Sequence, residues 1–201
     1  MSQFALPLGW PEAERADDFI VTAANEAATR HLARWATWPL PVTLLTGPRR
    51  SGRTLLARLF AEATGGVVID DAERVEEETI FHAWNDAAQR RRPLLIVAAA
   101  APPEWPVALP DLASRLAATP RATIQPPDDA LIARLVERGL ARRGLDAPAA
   151  AIAYLNARIE RSYVAVLAVV DAIDRLSLAG GRRLTVALAR EALAASRVIE
   201  A

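Results

Sequence analysis

Residues 42 to 54 read VTLLTGPRRSGRT: a short apolar run, a loop bracketed by glycines, and the start of a segment carrying Leu55, Leu56, Leu59 and Phe60 at helical spacing. The loop, Gly47-Pro48-Arg49-Arg50-Ser51-Gly52-Arg53-Thr54, fits the phosphate-binding pattern G-x-x-x-x-G-K-[ST] at every defining position but one, because Arg53 stands where the pattern has lysine. Glycines let successive backbone N–H groups converge on one concavity, and the following helix N-terminus adds partial positive charge, so the segment suits phosphate. Thr54 is placed to hold magnesium. An arginine fork is bulkier than a lysine ammonium; it can pair a β-phosphate but crowds the γ-phosphate position. ADP is therefore the expected nucleotide, and a nucleotide-free strand-to-helix turn is the other reading.

Outward from the loop, the same alternation continues. Toward the N-terminus, Ala28, Leu32 and Trp35 share a helical face that Pro39 and Pro41 end. Toward the C-terminus, Gly65-Gly66 closes the helix after the loop, and Val67-Val68-Ile69 reads as a second buried strand ending in Asp70-Asp71. That pair suits magnesium and an attacking water in a nucleotide site, or the cap of a following helix. A helix marked by Ile80, Phe81, Trp84 and Ala88 leads to a strand at Leu94 to Ala98, and a fourth strand is expected at Ala122 to Ile124. Strands alternating with helices predict an α/β unit with a parallel sheet. After Pro126-Pro127 only helical spacing remains: Leu131, Ile132, Leu135, Val136 and Leu140, then Ile152, Leu155 and Ile159, then Val166, Leu167, Val170 and Ile173, and a last helix from Thr185. The expected layout is an extended tail over 1–15, an α/β base over 16–126 and a helical unit over 127–201.

Composition narrows the function. The chain has 201 residues, no cysteine and two histidines, which excludes a disulfide framework and disfavours catalytic zinc. Lys+Arg and Asp+Glu are both 24, so the electrostatic pull of a non-specific nucleic-acid binder is missing and direct DNA binding is not expected. No apolar run is long enough to cross a bilayer and the N-terminus lacks a basic start, so a cytoplasmic protein with no membrane partner is expected. Trp10, Trp35, Trp38, Trp84 and Trp105 are assigned to the core or interfaces rather than to base stacking.

Together with the loop and the acidic pair, Leu109-Pro110-Asp111-Leu112-Ala113-Ser114-Arg115-Leu116 resembles the Hda family, regulatory relatives of the initiator DnaA within the AAA+ class. Asp18-Phe19-Ile20-Val21 followed by Asn25 looks like the adenine-side segment of DnaA-type proteins, and Gln3-Phe4-Ala5-Leu6-Pro7-Leu8 resembles the Q-L-x-L-P-L peptide by which Hda-like proteins dock on the sliding clamp. The resemblance implies an AAA+ P-loop parallel sheet with a C-terminal helical lid. It also implies nucleotide contacts from Phe19, Val21, Gly47, Gly52, Arg53, Thr54, Asp70 and Asp71, with Thr54 and Asp70 toward magnesium. Arg115 becomes the arginine finger lent to DnaA, Gln3, Phe4, Leu6, Pro7 and Leu8 the clamp contacts, and negative regulation of replication initiation the task.

Several positions depart from the pattern. Only residues 55 to 66 separate Thr54 from Val67, room for one helix, so the sheet should be one strand smaller than in DnaA. Ala98 to Ala101 follow the strand whose end carries a polar sensor in AAA+ ATPases, and methyl groups cannot orient a water. Val164 stands where the lid arginine is expected; Arg161 either substitutes for it or, with Arg158, faces solvent or pairs with Glu160 and Asp174. These losses favour action on a partner's nucleotide over independent hydrolysis. With Ala201 directly after the lid, no helix-turn-helix domain is expected. The competing readings are an autonomous P-loop ATPase and a DNA-binding replication accessory, and a homodimer through the Arg115 surface is left open.

Overall fold

In the computed structural model, which describes residues 19–199, four strands form one parallel sheet in the order β2-β3-β1-β4. They are β1 (Val42–Thr46), β2 (Val67–Ile69), β3 (Leu94–Val97) and β4 (Arg121–Thr123). The register sets Val42 opposite Leu94, Leu45 opposite both Val97 and Ala122, and Val67 opposite Leu94. The central strands β1 and β3 are buried along their whole length, which explains why they read as unbroken apolar runs rather than alternating ones.

Period-two alternation divides their side chains between two layers. Leu45, Leu95, Val97 and Ala122 face α1 (Glu26–Ala33) and α2 (Arg53–Thr64), packing on Leu32, Leu56 and Phe60. Val42, Leu44, Leu94 and Ile96 face α3 (Glu77–Arg90) and α4 (Pro110–Ala118), packing on Ile80, Leu112 and Leu116. Each such fully buried leucine or isoleucine contributes about 1.5–3 kcal/mol, so the two layers hold the sheet from both sides. Gly65 ends α2 in the left-handed region at φ 66°, and Gly66 lets β2 start at once: a Cβ there would lie 2.8 Å from the Pro93 carbonyl oxygen. One helix between β1 and β2 leaves the sheet at four strands, as expected.

The remaining helices, α5 (Asp129–Ala141), α6 (Ala149–Asn156), α7 (Tyr163–Gly180) and α8 (Val186–Ile199), pack around their own core of Val136, Leu140, Leu155, Val166, Ile173 and Leu188. Ser162 caps α7, its Oγ accepting from the Ala165 N–H at 3.1 Å. Gly139 allows α5 to press on α7, since a Cβ there would meet Val170 Cγ1 at 2.9 Å. One expected core residue is not core: Leu167 is 39% exposed and turns toward the loop of the base, while the half-buried Leu135 packs against the cores of both lid and base. No helix among the described residues is long and apolar enough to cross a membrane.

Candidate functional site

The loop between β1 and α2 is shaped by its glycines and one strained arginine. Gly52 sits at φ 85° and Arg50 at φ 63°, so left-handed residues alternate with right-handed ones and turn backbone N–H groups toward one side. At Gly47 a Cβ would lie 2.9 Å from Ile124 Cβ and 3.3 Å from Ser51 Oγ, so only glycine lets the loop close on the sheet. Ser51 is 6% exposed, and its Oγ is buried with no hydrogen-bond partner among the described residues. A buried hydroxyl without a partner is costly, which makes it a marker for a group that binds there.

Above the loop, the lid closes a cleft of about 510 Å³. Arg50, Ser51, Gly52, Arg53 and Thr54 line it from the base; Leu135, Arg138, Gly139, Arg142, Arg143 and Leu167 line it from the lid. Five arginines thus border one cavity, and no carboxylate lines it among the described residues. Arg143 is fixed from behind by ion pairs to Asp171 and, at 3.4 Å, to Asp174, and it donates to the Gly139 carbonyl at 2.8 Å. Arg161, expected to substitute for a lid sensor, to face solvent or to pair with Glu160 and Asp174, is exposed and pairs with Asp129 at 2.6 Å, donating also to the Asn156 carbonyl at 2.8 Å. Arg158 lies 4.2 Å over the Tyr154 ring. Both lie in the segment between α6 and α7, and neither lines the cleft.

The acidic pair ends β2, which β3 separates from β1. Asp70 Oδ1 accepts from the Asp71 N–H at 2.9 Å, and Asp71, at φ 47°, opens a 3-10 turn over Ala72–Arg74 without a side-chain cap. Neither carboxylate lines the cleft that Thr54 lines. At the end of β3 the Ala99 N–H donates to Glu73 Oε1, and the Ala99 carbonyl accepts from the Gly47 N–H at 3.4 Å, so Glu73 is the carboxylate tied to the loop through backbone. No group of three or more metal-ligating side chains gathers among the described residues. Thr54 lines the cleft between loop and lid, and Asp70 is not among the described residues that line it.

The adenine-side segment is held by polar ties. A Cβ on Gly52 would meet the Phe19 ring at 3.2 Å, so that ring seats against the loop, and Val21, 45% exposed, borders with it an apolar groove of about 490 Å³ between α1 and α2. Asn25 Nδ2 donates to the Ile20 carbonyl at 2.8 Å and its Oδ1 accepts from the Thr22 N–H at 2.9 Å. Asp128 links this segment to the lid, accepting from the Ala24 N–H at 3.0 Å and the Leu131 N–H at 2.7 Å. Burial alone would raise the Asp128 carboxyl, but hydrogen bonds from Leu131, Thr22, Ala24 and Ala130 outweigh it and hold the group below its usual range. Beside it, burial and the Asp128 charge push the Tyr163 phenol up to about 12, and its hydroxyl donates to the Gln125 carbonyl at 3.1 Å.

Arg115 lies elsewhere, in the last turn of α4, which contributes nothing to the cleft. Its guanidinium sits 4.7 Å over Phe81 and 4.6 Å over Trp84, both on α3. Trp84 Nε1 donates to Thr119 Oγ1 at 3.1 Å, and that hydroxyl donates to the Arg115 carbonyl at 2.8 Å, locking ring and helix together. Glu77 fixes the other end of α4, accepting from the Leu109 N–H at 2.6 Å and the Ala108 N–H at 2.8 Å. The clamp peptide, Gln3 to Leu8, lies outside the described residues.

Residues 128–193 match the model of the Hda lid-domain family. That segment, running from α5 into α8, is similar to the Hda lid. Domain III of the replication initiation protein DnaA from Thermotoga maritima superposes with a TM-score of 0.72 at 14% identity, over 88% of this chain and 94% of that one. AMPPCP-bound DnaA from Aquifex aeolicus gives 0.62 at 16% identity, over 82% of this chain and 64% of that one. The RuvB Holliday junction branch migration motor of Thermotoga maritima gives 0.66 at 16% identity, over 90% of this chain and 71% of that one. No curated protein matches the chain. The chain thus shares its fold with the AAA+ domains of DnaA and RuvB, with four strands in its sheet, and residues 128–193 are similar to the Hda lid.

Sequence reasoning missed several residues around this site. The helical lid brings Arg138, Arg142 and Arg143 to the loop through tertiary docking, and no local motif flags them. Glu73 and Ser51 carry a faint signal, lying inside or next to recognised motifs. Asp128 caps α5 and also ties the lid to the N-terminal segment, a link between residues 104 apart that local sequence does not signal.

Proposed function

We propose that the protein is a cytoplasmic negative regulator of replication initiation that lends Arg115 to the ATP site of DnaA. Arg115 carries this reading: a guanidinium within a run resembling the family's finger segment, on a helix that takes no part in the protein's own cleft, has its role outside the molecule. Magnitudes agree. Leaving two aromatic faces costs on the order of 1–2 kcal/mol. A guanidinium supplied in trans accelerates phosphoryl transfer by roughly 10³- to 10⁵-fold, about 4–7 kcal/mol of barrier. The exchange is favourable wherever a partner's γ-phosphate comes within reach.

The peptide Gln3-Phe4-Ala5-Leu6-Pro7-Leu8 anchors the protein to the sliding clamp, with Leu6 and Leu8 filling an apolar pocket, Gln3 supplying directional hydrogen bonds and Pro7 limiting the entropy lost on ordering. ADP in the cleft between loop and lid holds the two units in the presenting arrangement. Independent hydrolysis is disfavoured because β3 ends in alanines and no lid arginine stands at Val164.

The deciding experiment measures phosphate release by ATP-loaded DnaA with clamp, DNA and this protein. Arg115→Ala is expected to abolish stimulation while leaving clamp capture intact and costing no more stability than the two ring contacts, about 1–2 kcal/mol. Stimulation undiminished by Arg115→Ala overturns the reading. Gln3→Ala with Leu6→Ala is expected to remove clamp capture while leaving the fold untouched.

A further inference from the structure

We propose that Phe81 and Trp84 of α3 hold Arg115 in a withdrawn position from which an ATP-loaded partner must draw it, so that the two rings control when the guanidinium is lent and take it back after use. The inference rests on the reading of Arg115 above and adds the regulation of that same group.

The first support is the seat. Phe81 and Trp84 stand three residues apart on α3 and so share one face of the helix. Arg115 Cζ lies 4.7 Å from the centre of the first ring and 4.6 Å from the centre of the second, so its charge rests on both. Such a hold orders the side chain, yet it is weak enough for a triphosphate to break. The second support is that the seat is itself fixed. Trp84 Nε1 donates to Thr119 Oγ1 at 3.1 Å, and this hydroxyl, on a residue 3% exposed, donates to the Arg115 carbonyl at 2.8 Å. The indole is thereby tied to the backbone of the residue whose side chain it holds. When the guanidinium leaves, the seat stays in place, and the return needs no rebuilding.

A group withheld in a non-binding state lowers the apparent affinity for whatever needs it, in proportion to the fraction withheld. Two ring contacts withhold Arg115 roughly five- to thirtyfold. This penalty falls only on a partner that draws the arginine out. A γ-phosphate does so, whereas an ADP-loaded partner leaves Arg115 seated. Once the partner has lost its γ-phosphate, the rings recapture the guanidinium and the complex loosens, so one copy can serve many partners in turn. Phe81 and Trp84 are positioning residues in this scheme, acting only through Arg115.

The test is equilibrium binding of the full chain to DnaA loaded with AMPPCP or with ADP, clamp and DNA present. Phe81→Leu with Trp84→Leu is expected to bind AMPPCP-loaded DnaA roughly five- to thirtyfold more tightly than wild type, with affinity for ADP-loaded DnaA unchanged. Phe81→Leu alone, a milder change to the packing of α3, is expected to give about two- to fivefold in the AMPPCP state only. Trp84→Phe keeps a ring face and gives up only the hydrogen bond to Thr119, so it is expected to stay within about twofold of wild type in both states. In an Arg115→Ala background the two leucines are expected to change neither affinity. Weaker binding in the AMPPCP state, an equal change in both states or no change in either overturns the proposal, and leaves the finger reading standing as long as Arg115→Ala abolishes stimulation. Stimulation that survives Arg115→Ala overturns the finger reading and the proposal with it.

Discussion

Ser51 shows how a single side chain can separate stability from function. Its buried, unpartnered hydroxyl costs folding free energy, so Ser51→Ala is expected to leave the ligand-free protein unchanged or to stabilise it by up to about 1–2 kcal/mol. The same change is expected to weaken ADP binding several-fold, because a donor is lost. Paired chemical denaturation and titration check both signs, and a loss of stability would show that the hydroxyl has a partner inside the protein. Residues whose roles depend on local backbone were legible from sequence: Gly47, Gly52 and Arg53 all fall in the loop as expected. Those whose partners come from distant segments were not, which is why Arg161 meets Asp129 rather than Glu160 or Asp174.

Among elements, the junction of the N-terminal segment with α5 carries the most strongly linked charge. Asp128 caps α5 and holds the Ala24 N–H, so Asp128→Ala is expected to cost about 1–3 kcal/mol. Its folded pKa lies below the unfolded value of about 3.9. The native state therefore binds fewer protons, and the stabilisation is complete above about pH 4 and lost as pH falls through the depressed folded value. Acid titration of wild type and Asp128→Ala should show the stability gap narrowing below pH ~4 and constant above it. A gap that widened with acid would contradict this. Hydrophobic period identified the strands and most helices because burial enforces it, and β4 moved by one residue, from Ala122–Ile124 to Arg121–Thr123. It failed at Leu167, where α7 turns its early face toward the cleft instead of its own core.

Over the whole molecule, base and lid have separate cores joined at Asp128, Tyr163 and the cleft, so a ligand touching both units should stabilise their association. ADP at about a hundred times its dissociation constant should add about 2.7 kcal/mol. For a chain of this size that is roughly 5–10 °C in the unfolding midpoint, readable by calorimetry with and without magnesium. Alternation of strands and helices announced a parallel sheet with one strand missing, but not the order β2-β3-β1-β4, which depends on contacts between segments far apart in sequence. The contact between α3 and α4 also gives the protein a built-in optical reporter. With a positive charge resting on the face of its indole, Trp84 is an optical gauge of whether Arg115 is at home or abroad. Emission from that ring should shift when the guanidinium departs for a neighbouring protein, and the shift should vanish in Arg115→Ala, so engagement can be timed by fluorescence without attaching a dye.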